Sequence, residues 1–147
     1  MSKIKRKENI PKVQKATVKR GGDCPQMPAF SFEFLTANKS YNLSYFPDAF
    51  SRREASEGIL LRLSEICSNN WQYWHSLGKA RGLEMLPIDR LRFSPSGKNM
   101  SFGDKVIIFR VKGYAGKEAR IIGSRQEGCP ILFILGFDFD FSAYDHD

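Results

Sequence analysis

A chain of 147 residues with 41% hydrophobic residues is long enough to bury a core and too short for two comfortable domains, so we expect one domain. No apolar run approaches the roughly 20 residues that a membrane helix needs, and the basic N-terminus lacks the apolar segment of a signal peptide. Three widely spaced cysteines, an odd number, favour reduced thiols and a cytoplasmic protein.

The formal net charge of +7 is concentrated near the N-terminus. Residues 1–28 carry only two acidic side chains against eight basic ones, which are Lys3, Lys5, Arg6, Lys7, Lys12, Lys15, Lys19 and Arg20. The segment has no aromatic residue and no apolar periodicity, which predicts a disordered arm in front of a domain over residues 29–147. Such an arm attracts polyanions through counterion release, so RNA or the ribosome is the expected partner. A solubilising tail without a partner is the alternative.

The domain is predicted to begin with a strand and two helices. Residues 30–34 alternate as a strand does, and residues 41–46 are the expected hairpin partner. A helix follows Asp48, and its apolar spacing predicts five buried residues, with Arg62, Ser64 and Glu65 outward. These five are Ile59, Leu60, Leu63, Ile66 and Cys67. Asn70 is the expected N-cap of a second helix, which places Trp71, Trp74 and Leu77 on one face for core packing.

Residues 78–87 read as a loop or a short strand, and the last third of the chain reads as three strands. Residues 105–111 and 119–125 are rich in β-branched residues and flank a glycine turn, which predicts a hairpin. Residues 131–137 are apolar at odd and even positions alike, as in a strand that is covered on both faces. From Phe137 the pattern alternates, which predicts a buried row of Phe137, Phe139 and Phe141 and a wet row of Asp138 and Asp140. The elements together predict an α+β domain with two helices on an antiparallel sheet.

Several known motifs are missing from the sequence. It has no Walker-type phosphate loop, no Cys-x-x-Cys pair and no Gly-x-Ser-x-Gly elbow. Hydrolysis of nucleoside triphosphates, a zinc knuckle and a serine hydrolase are therefore disfavoured. We expect no cofactor and no metal.

The element order and three short motifs resemble the RelE/ParE superfamily of bacterial toxins, many of which cleave messenger RNA on the ribosome. The motifs are Phe-Arg at residues 109–110, Arg-Ile-Ile-Gly-x-Arg at 120–125 and Phe-Asp-x-Asp-x-x-x-Tyr at 137–144. The resemblance covers roughly residues 50–147. It implies a RelE-like meander, a metal-independent endoribonuclease and an antitoxin protein as partner.

The resemblance also implies a catalytic set: Arg110, Arg120 and Arg125 on the strands, and Tyr144 or His146 near the C-terminus. Arginine suits a pentavalent phosphate because its planar fork pairs with two oxygens and stays charged. His146 titrates near neutral pH, whereas Tyr144 would need help to act as a base. Because Arg120 and Arg125 differ by an odd number of positions, only one of them can lie beside Arg110 in a regular strand.

Three alternatives remain open. Arg110 and Arg120 could be solvated strand residues or ion-pair partners of Asp138 and Asp140. Those two aspartates, with His146 and either Asp145 or Asp147, could instead hold a divalent metal, although a site at a fraying chain end is disfavoured. Finally, the chain could be a non-catalytic module that binds nucleic acid or protein.

Overall fold

The computed structural model describes residues 26–79, 81–96, 105–112 and 117–145. These residues form an α+β fold, which confirms the predicted class. The strands are β1 (Ala29–Ser31), β2 (Leu83–Pro87), β3 (Lys105–Lys112), β4 (Glu118–Ser124) and β5 (Ile131–Asp138), and the helices are α1 (Ala49–Ile66) and α2 (Trp71–Ser76). The eight basic residues of the predicted arm lie outside the described residues. Its last three residues are described, and the Gln26 carbonyl accepts a hydrogen bond from the Trp71 amide.

The five strands form one sheet in the order β1-β5-β4-β3-β2. The neighbours from β2 to β5 are antiparallel, as predicted, and the predicted hairpin of β3 and β4 is confirmed. β1 runs parallel to β5, so the sheet is mixed and the prediction of a purely antiparallel sheet was wrong at this edge. The alternation of residues 30–34 indicates a strand but carries no information about a partner a hundred residues away.

The predicted hairpin of residues 30–34 with residues 41–46 was also wrong. Residues 39–41 and 43–45 form two 3-10 turns instead. Asn38 accepts a hydrogen bond from the Ser40 amide, and Asn42 accepts one from the Ser44 amide. These local bonds hold the backbone in turns and compete with pairing in a sheet.

Helix α1 packs its buried stripe against one face of the sheet, which we call the helix face. The stripe consists of Ala55, Ile59, Leu63 and Ile66. Asp48 caps the helix by accepting from the Ser51 amide, as the sequence predicts for a helix opening there. Two predicted core residues, Leu60 and Cys67, are exposed, because the sheet covers only this one stripe.

Arg62 does not point into solvent, contrary to expectation. Its guanidinium carbon lies 5.4 Å from the centroid of the Trp74 ring and 5.7 Å from that of Phe109. Its Nε donates to the Arg110 carbonyl at 2.8 Å. The amphipathic stem of arginine lets a charged side chain cover apolar surface in this way.

Helix α2 confirms the predicted cap and core. Asn70 accepts a hydrogen bond from the Tyr73 amide at 2.8 Å. Trp71 and Trp74 are buried against the helix face, and Leu77 packs against the same cluster. Each indole N–H finds a backbone acceptor, Pro130 for Trp71 and Ile66 for Trp74.

The opposite face of the sheet is covered by loops, and we call it the loop face. Val106, Ile108, Ile122 and Leu135 project from it, and residues of the connecting segments such as Phe34, Tyr41, Phe93 and Tyr144 cover them. The pairing of β4 with β5 skips one residue of β5, since Ile122 pairs with Gly136 and Gly123 with Ile134. The apolar strands are therefore buried on both faces, as the run at residues 131–137 predicts.

The chain leaves the sheet earlier than the alternation of the C-terminal residues predicts. β5 ends at Asp138, which is only 1% exposed, whereas Phe141 is 44% exposed. The prediction of an exposed Asp138 and a buried Phe141 is therefore wrong. Phe141 has a φ of 61°, which breaks the alternation of a regular strand.

Two further expectations concern the environment of the chain. None of the helices in the described ranges combines the length and the apolar character needed to cross a bilayer. Cys67 and Cys129 are free thiols, and Cys24 lies outside the described residues.

Candidate functional site

The candidate site is built on a row of three charged residues that crosses neighbouring strands of the loop face. Arg110 on β3 pairs with Arg120 on β4, and Arg120 pairs with Asp138 on β5. Side chains directly opposite each other in a sheet lie on the same face. Register alone therefore brings the two predicted arginines together and sets an acidic residue beside the second.

Arg120 is the buried arginine of the row, with 5% of its surface exposed. Its Nη1 donates to Glu118 Oε2 at 3.1 Å and to the Ala119 carbonyl at 3.2 Å. The guanidinium carbon lies 4.8 Å from the centroid of the Phe141 ring. These contacts hold the Arg120 guanidinium in one buried position.

Arg110 is the more accessible member and is half-buried. Within the described part of the chain, no carboxylate forms an ion pair with it. Its Nε is buried and has no hydrogen-bond partner among the residues that the structure describes, and the same holds for Nε of Arg120. Buried donors without partners cost stability, so both arginines are held in place at an energetic cost.

Tyr144 lies beside the row and is 2% exposed. Burial raises the pKa of its hydroxyl above the ordinary value of 10.0, and the charges of Glu84 and Asp138 add to this shift. Arg120 is close enough to oppose it. Tyr144 therefore stays protonated at neutral pH, which suits a hydrogen-bond donor and excludes a resting base.

The segment that carries Tyr144 is pinned to the loop face by the chain around Arg92. The Arg92 amide donates to the Ala143 carbonyl at 2.8 Å, and its side chain forms an ion pair with Asp145. The Tyr41 hydroxyl donates to the Ser142 carbonyl at 3.3 Å. These long-range contacts place Tyr144 against the arginines although it follows the last strand.

Arg110, Arg120 and Tyr144 line one cleft of about 290 Å³, which we call the arginine cleft. Leu86 and Phe141 supply apolar wall. Four basic side chains line it against two acidic ones: Lys79, Arg90, Arg110 and Arg120 against Glu84 and Asp145. The excess of positive charge suits an anionic ligand.

The structure brings together three of the five predicted catalytic residues. Arg125 lies elsewhere, because its guanidinium carbon stacks 4.8 Å above the Trp71 ring and Nη2 donates to Gln26 at 3.0 Å. Arg125 directly follows β4 and lies on the helix face. This agrees with the expectation that only one of Arg120 and Arg125 can lie beside Arg110. His146 lies outside the described residues.

Sequence reasoning missed several residues of the cleft: Lys79, Glu84, Arg90 and Phe141. The first three lie in or beside a segment whose sequence fits a loop as well as a strand. The sequence therefore does not predict which way their side chains point. Phe141 was assigned to the buried row, and only its positive φ redirects it. Asp145 was considered only as a metal ligand.

Two other kinds of site in the described residues are weaker candidates. Among the described residues, no three His, Cys, Asp or Glu side chains are grouped to hold a metal ion. A larger groove of about 910 Å³ lies between the two helices and the ends of β3 and β4. Four glutamates line this groove, Glu54, Glu57, Glu65 and Glu118, and Arg62 in its lining is already paired with Glu65 at 2.7 Å. The arginine cleft is therefore the better candidate.

Comparisons of the chain with protein-family models, with curated proteins and with solved structures found no match. The resemblance to the RelE/ParE superfamily is not tested by them and stays a prediction.

Proposed function

We propose that the arginine cleft binds a backbone phosphate of a nucleic acid, and the resemblance to RelE-like toxins favours RNA. The observation that carries this proposal is the register of Arg110 opposite Arg120 on a face where Arg110 has no described carboxylate partner. Two guanidinium groups side by side match the several oxygens of a phosphate better than one ammonium does.

The two arginines have different tasks in this proposal. Arg110 is half-exposed and contacts the phosphate, whereas Arg120 is buried and adds charge from below. Lys79 and Arg90 at the cleft wall attract the neighbouring phosphates. The basic residues of the N-terminal segment would add affinity that does not depend on the nucleic-acid sequence.

The test is a titration of a short fluorescent single-stranded RNA, followed by anisotropy at fixed salt. Arg110→Ala should weaken binding about tenfold, within the range of a lost charged hydrogen bond. Arg53→Ala is the matched control, because it removes the same charge from an exposed position of α1 outside the cleft. Equal affinities of the two variants, with both proteins folded by circular dichroism, would overturn the proposal.

A second candidate function is metal-independent cleavage of messenger RNA, as in a RelE-like toxin with an antitoxin partner. The observation that favours it is the presence of a carboxylate, Glu84, together with Tyr144 in the same cleft as Arg110 and Arg120. In this reaction a ribose 2′-oxygen bonds to phosphorus, the bond from phosphorus to the 5′-oxygen breaks, and a cyclic phosphate and a 5′-hydroxyl result. One base, one acid and stabilising positive charge are needed.

The described cleft offers groups for two of these three needs. Arg110 supplies the charge, and Glu84 is the lining carboxylate that would accept the proton of the 2′-hydroxyl. Tyr144 is a positioning residue for Arg120 here, because its hydroxyl is buried and protonated. The acid that protonates the leaving oxygen is His146 in the role that the resemblance implies.

Cleavage is tested by inducing the chain in a bacterial host while growth is followed and messenger RNA ends are mapped. Wild type and Arg53→Ala should arrest growth and create new RNA ends, and Arg110→Ala should do neither. Intact RNA under strong expression of folded wild type, together with RNA binding that depends on Arg110, would leave the chain as a non-catalytic binding module.

A further inference from the structure

Phe141 adopts a conformation that a phenylalanine rarely takes. Its φ of 61° makes it the only described residue other than glycine with a positive φ. Such a conformation costs on the order of 1 kcal/mol or more and persists only where the surroundings enforce it. Strained residues of this kind occur preferentially at binding sites, so the position of this ring needs an explanation.

The surrounding turn holds Phe141 in this conformation. The Ser142 amide donates to Asp138 Oδ1 and to Asp140 Oδ1, each at 3.1 Å. In a regular strand, Phe141 would follow the parity of Phe137 and Phe139, which are both buried in the core of the helix face. The turn instead directs the ring to the wall of the arginine cleft.

The ring lies over a buried charge while much of it stays exposed. The guanidinium carbon of Arg120 is 4.8 Å from the ring centroid, and 44% of Phe141 is accessible to solvent. A single exposed aromatic residue is ordinary in any protein. An exposed aromatic residue that also has a positive φ, a cation beneath its ring and a place in a basic cleft is unusual.

We infer that Phe141 is a base-stacking residue, and that the ligand of the arginine cleft is a single-stranded nucleic acid with one base against this ring. The inference rests on the proposed function, since Arg110 would hold the phosphate of that nucleotide or of its neighbour. Stacking on aromatic side chains tolerates every base because each base has a π-face. Paired bases are not accessible to such a ring, so duplexes should bind less well than single strands.

The test combines a protein variant with a change in the RNA. A set of short single-stranded RNAs, each with one abasic position, is titrated against wild type, Phe141→Leu and Phe141→Tyr. Wild type should lose about tenfold affinity at one position, the loss expected for one stacked base. Phe141→Leu should lose a similar factor for the intact RNA and should no longer respond to that abasic position, whereas Phe141→Tyr should behave as wild type.

Phe32→Leu is the matched control, because Phe32 is 47% exposed and does not line the cleft. It should leave the abasic profile of wild type unchanged. If the profiles of Phe141→Leu and wild type coincide while Arg110→Ala still weakens binding, the stacking inference is wrong and the phosphate site stands. If Arg110→Ala has no effect, both fail together. A flat abasic profile for wild type itself would overturn the inference without any variant.

Discussion

Arg110 and Arg120 lie directly opposite each other on the antiparallel strands β3 and β4. Like charges in this relationship repel, and a sheet tolerates them only where other charges compensate. Asp138 pairs with Arg120 from the other side and is 1% exposed. Asp138, beside Arg120 in the sheet, and Glu118, which forms an ion pair with Arg120 at 3.1 Å, supply negative charge that offsets this repulsion.

We expect Asp138→Asn to lower the free energy of unfolding by about 1–3 kcal/mol, because it removes a buried negative charge beside Arg120. The asparagine Oδ1 can still accept from the Ser142 amide, so the turn itself should survive. Urea denaturation measures the change, with the exposed Asp89→Asn as control. In the Asp138→Asn background, Arg110→Ala should cost less stability than in wild type; additive effects would show that the two charges do not interact.

Gly58 lets α1 approach the end of β3. A Cβ built on Gly58 would lie 2.7 Å from the Lys112 carbonyl oxygen, a backbone atom that cannot move alone. Alanine favours a helix over glycine by about 1 kcal/mol, but we expect the steric overlap to cost more, in the range of about 1–3 kcal/mol. Gly58→Ala should therefore lower the melting temperature. Ser64→Ala, at an exposed position of the same helix, should not lower it.

The sequence predicts most of the local structure because the relevant signals are short-range. The apolar spacing in α1, the cap at Asn70 and the β-branched runs of β3 and β4 each lie within a few residues. The partner of β1 could not be predicted, since its pairing with β5 joins residues about a hundred positions apart. Asparagine side chains decided the turns at residues 39–45, and strand alternation does not report such bonds.

The candidate site was predictable only in part. Once the hairpin of β3 and β4 is recognised, Arg110 and Arg120 can be expected on the same face of the sheet. The approach of Tyr144 to them depends on contacts with the chain around Arg92, and the direction of Phe141 depends on a positive φ. Both are consequences of tertiary packing, which a pattern of apolar and polar residues does not encode.

Asn70 stabilises a helix of only six residues, so its contribution should be measurable. Asn70→Ala removes the acceptor of the Tyr73 amide and should lower the free energy of unfolding by about 1 kcal/mol. Asn69→Ala is the control, because among the described residues that side chain bonds to the neighbouring Ser68 and to no helix amide. Equal stabilities of the two variants in a denaturant titration would contradict the assignment of the cap.

Tyr144 should make stability depend on alkaline pH. Because burial raises its pKa in the folded protein above 10.0, the neutral hydroxyl stabilises the fold fully below pH 10. As the pH rises past 10, the unfolded chain loses this proton first, and the stabilisation declines up to the folded pKa. The Tyr144→Phe variant has no hydroxyl at this position, so its stability does not depend on this titration.

We therefore expect wild type to lose stability relative to Tyr144→Phe as the pH rises above about 10, since the other tyrosines contribute equally to both proteins. Thermal melts of the two proteins across this range measure the difference. A difference that does not change with pH would mean that the Tyr144 hydroxyl titrates as it does in the unfolded chain.

The most direct test of the phosphate site is the salt dependence of RNA binding. The affinities of wild type, Arg110→Ala and the control Arg53→Ala are measured over a series of salt concentrations, and log K is plotted against log salt. If Arg110 contacts a phosphate, the slope for Arg110→Ala should be smaller in magnitude than that of wild type by about one, and Arg53→Ala should keep the wild-type slope. Parallel lines for wild type and Arg110→Ala would contradict a phosphate contact in the arginine cleft.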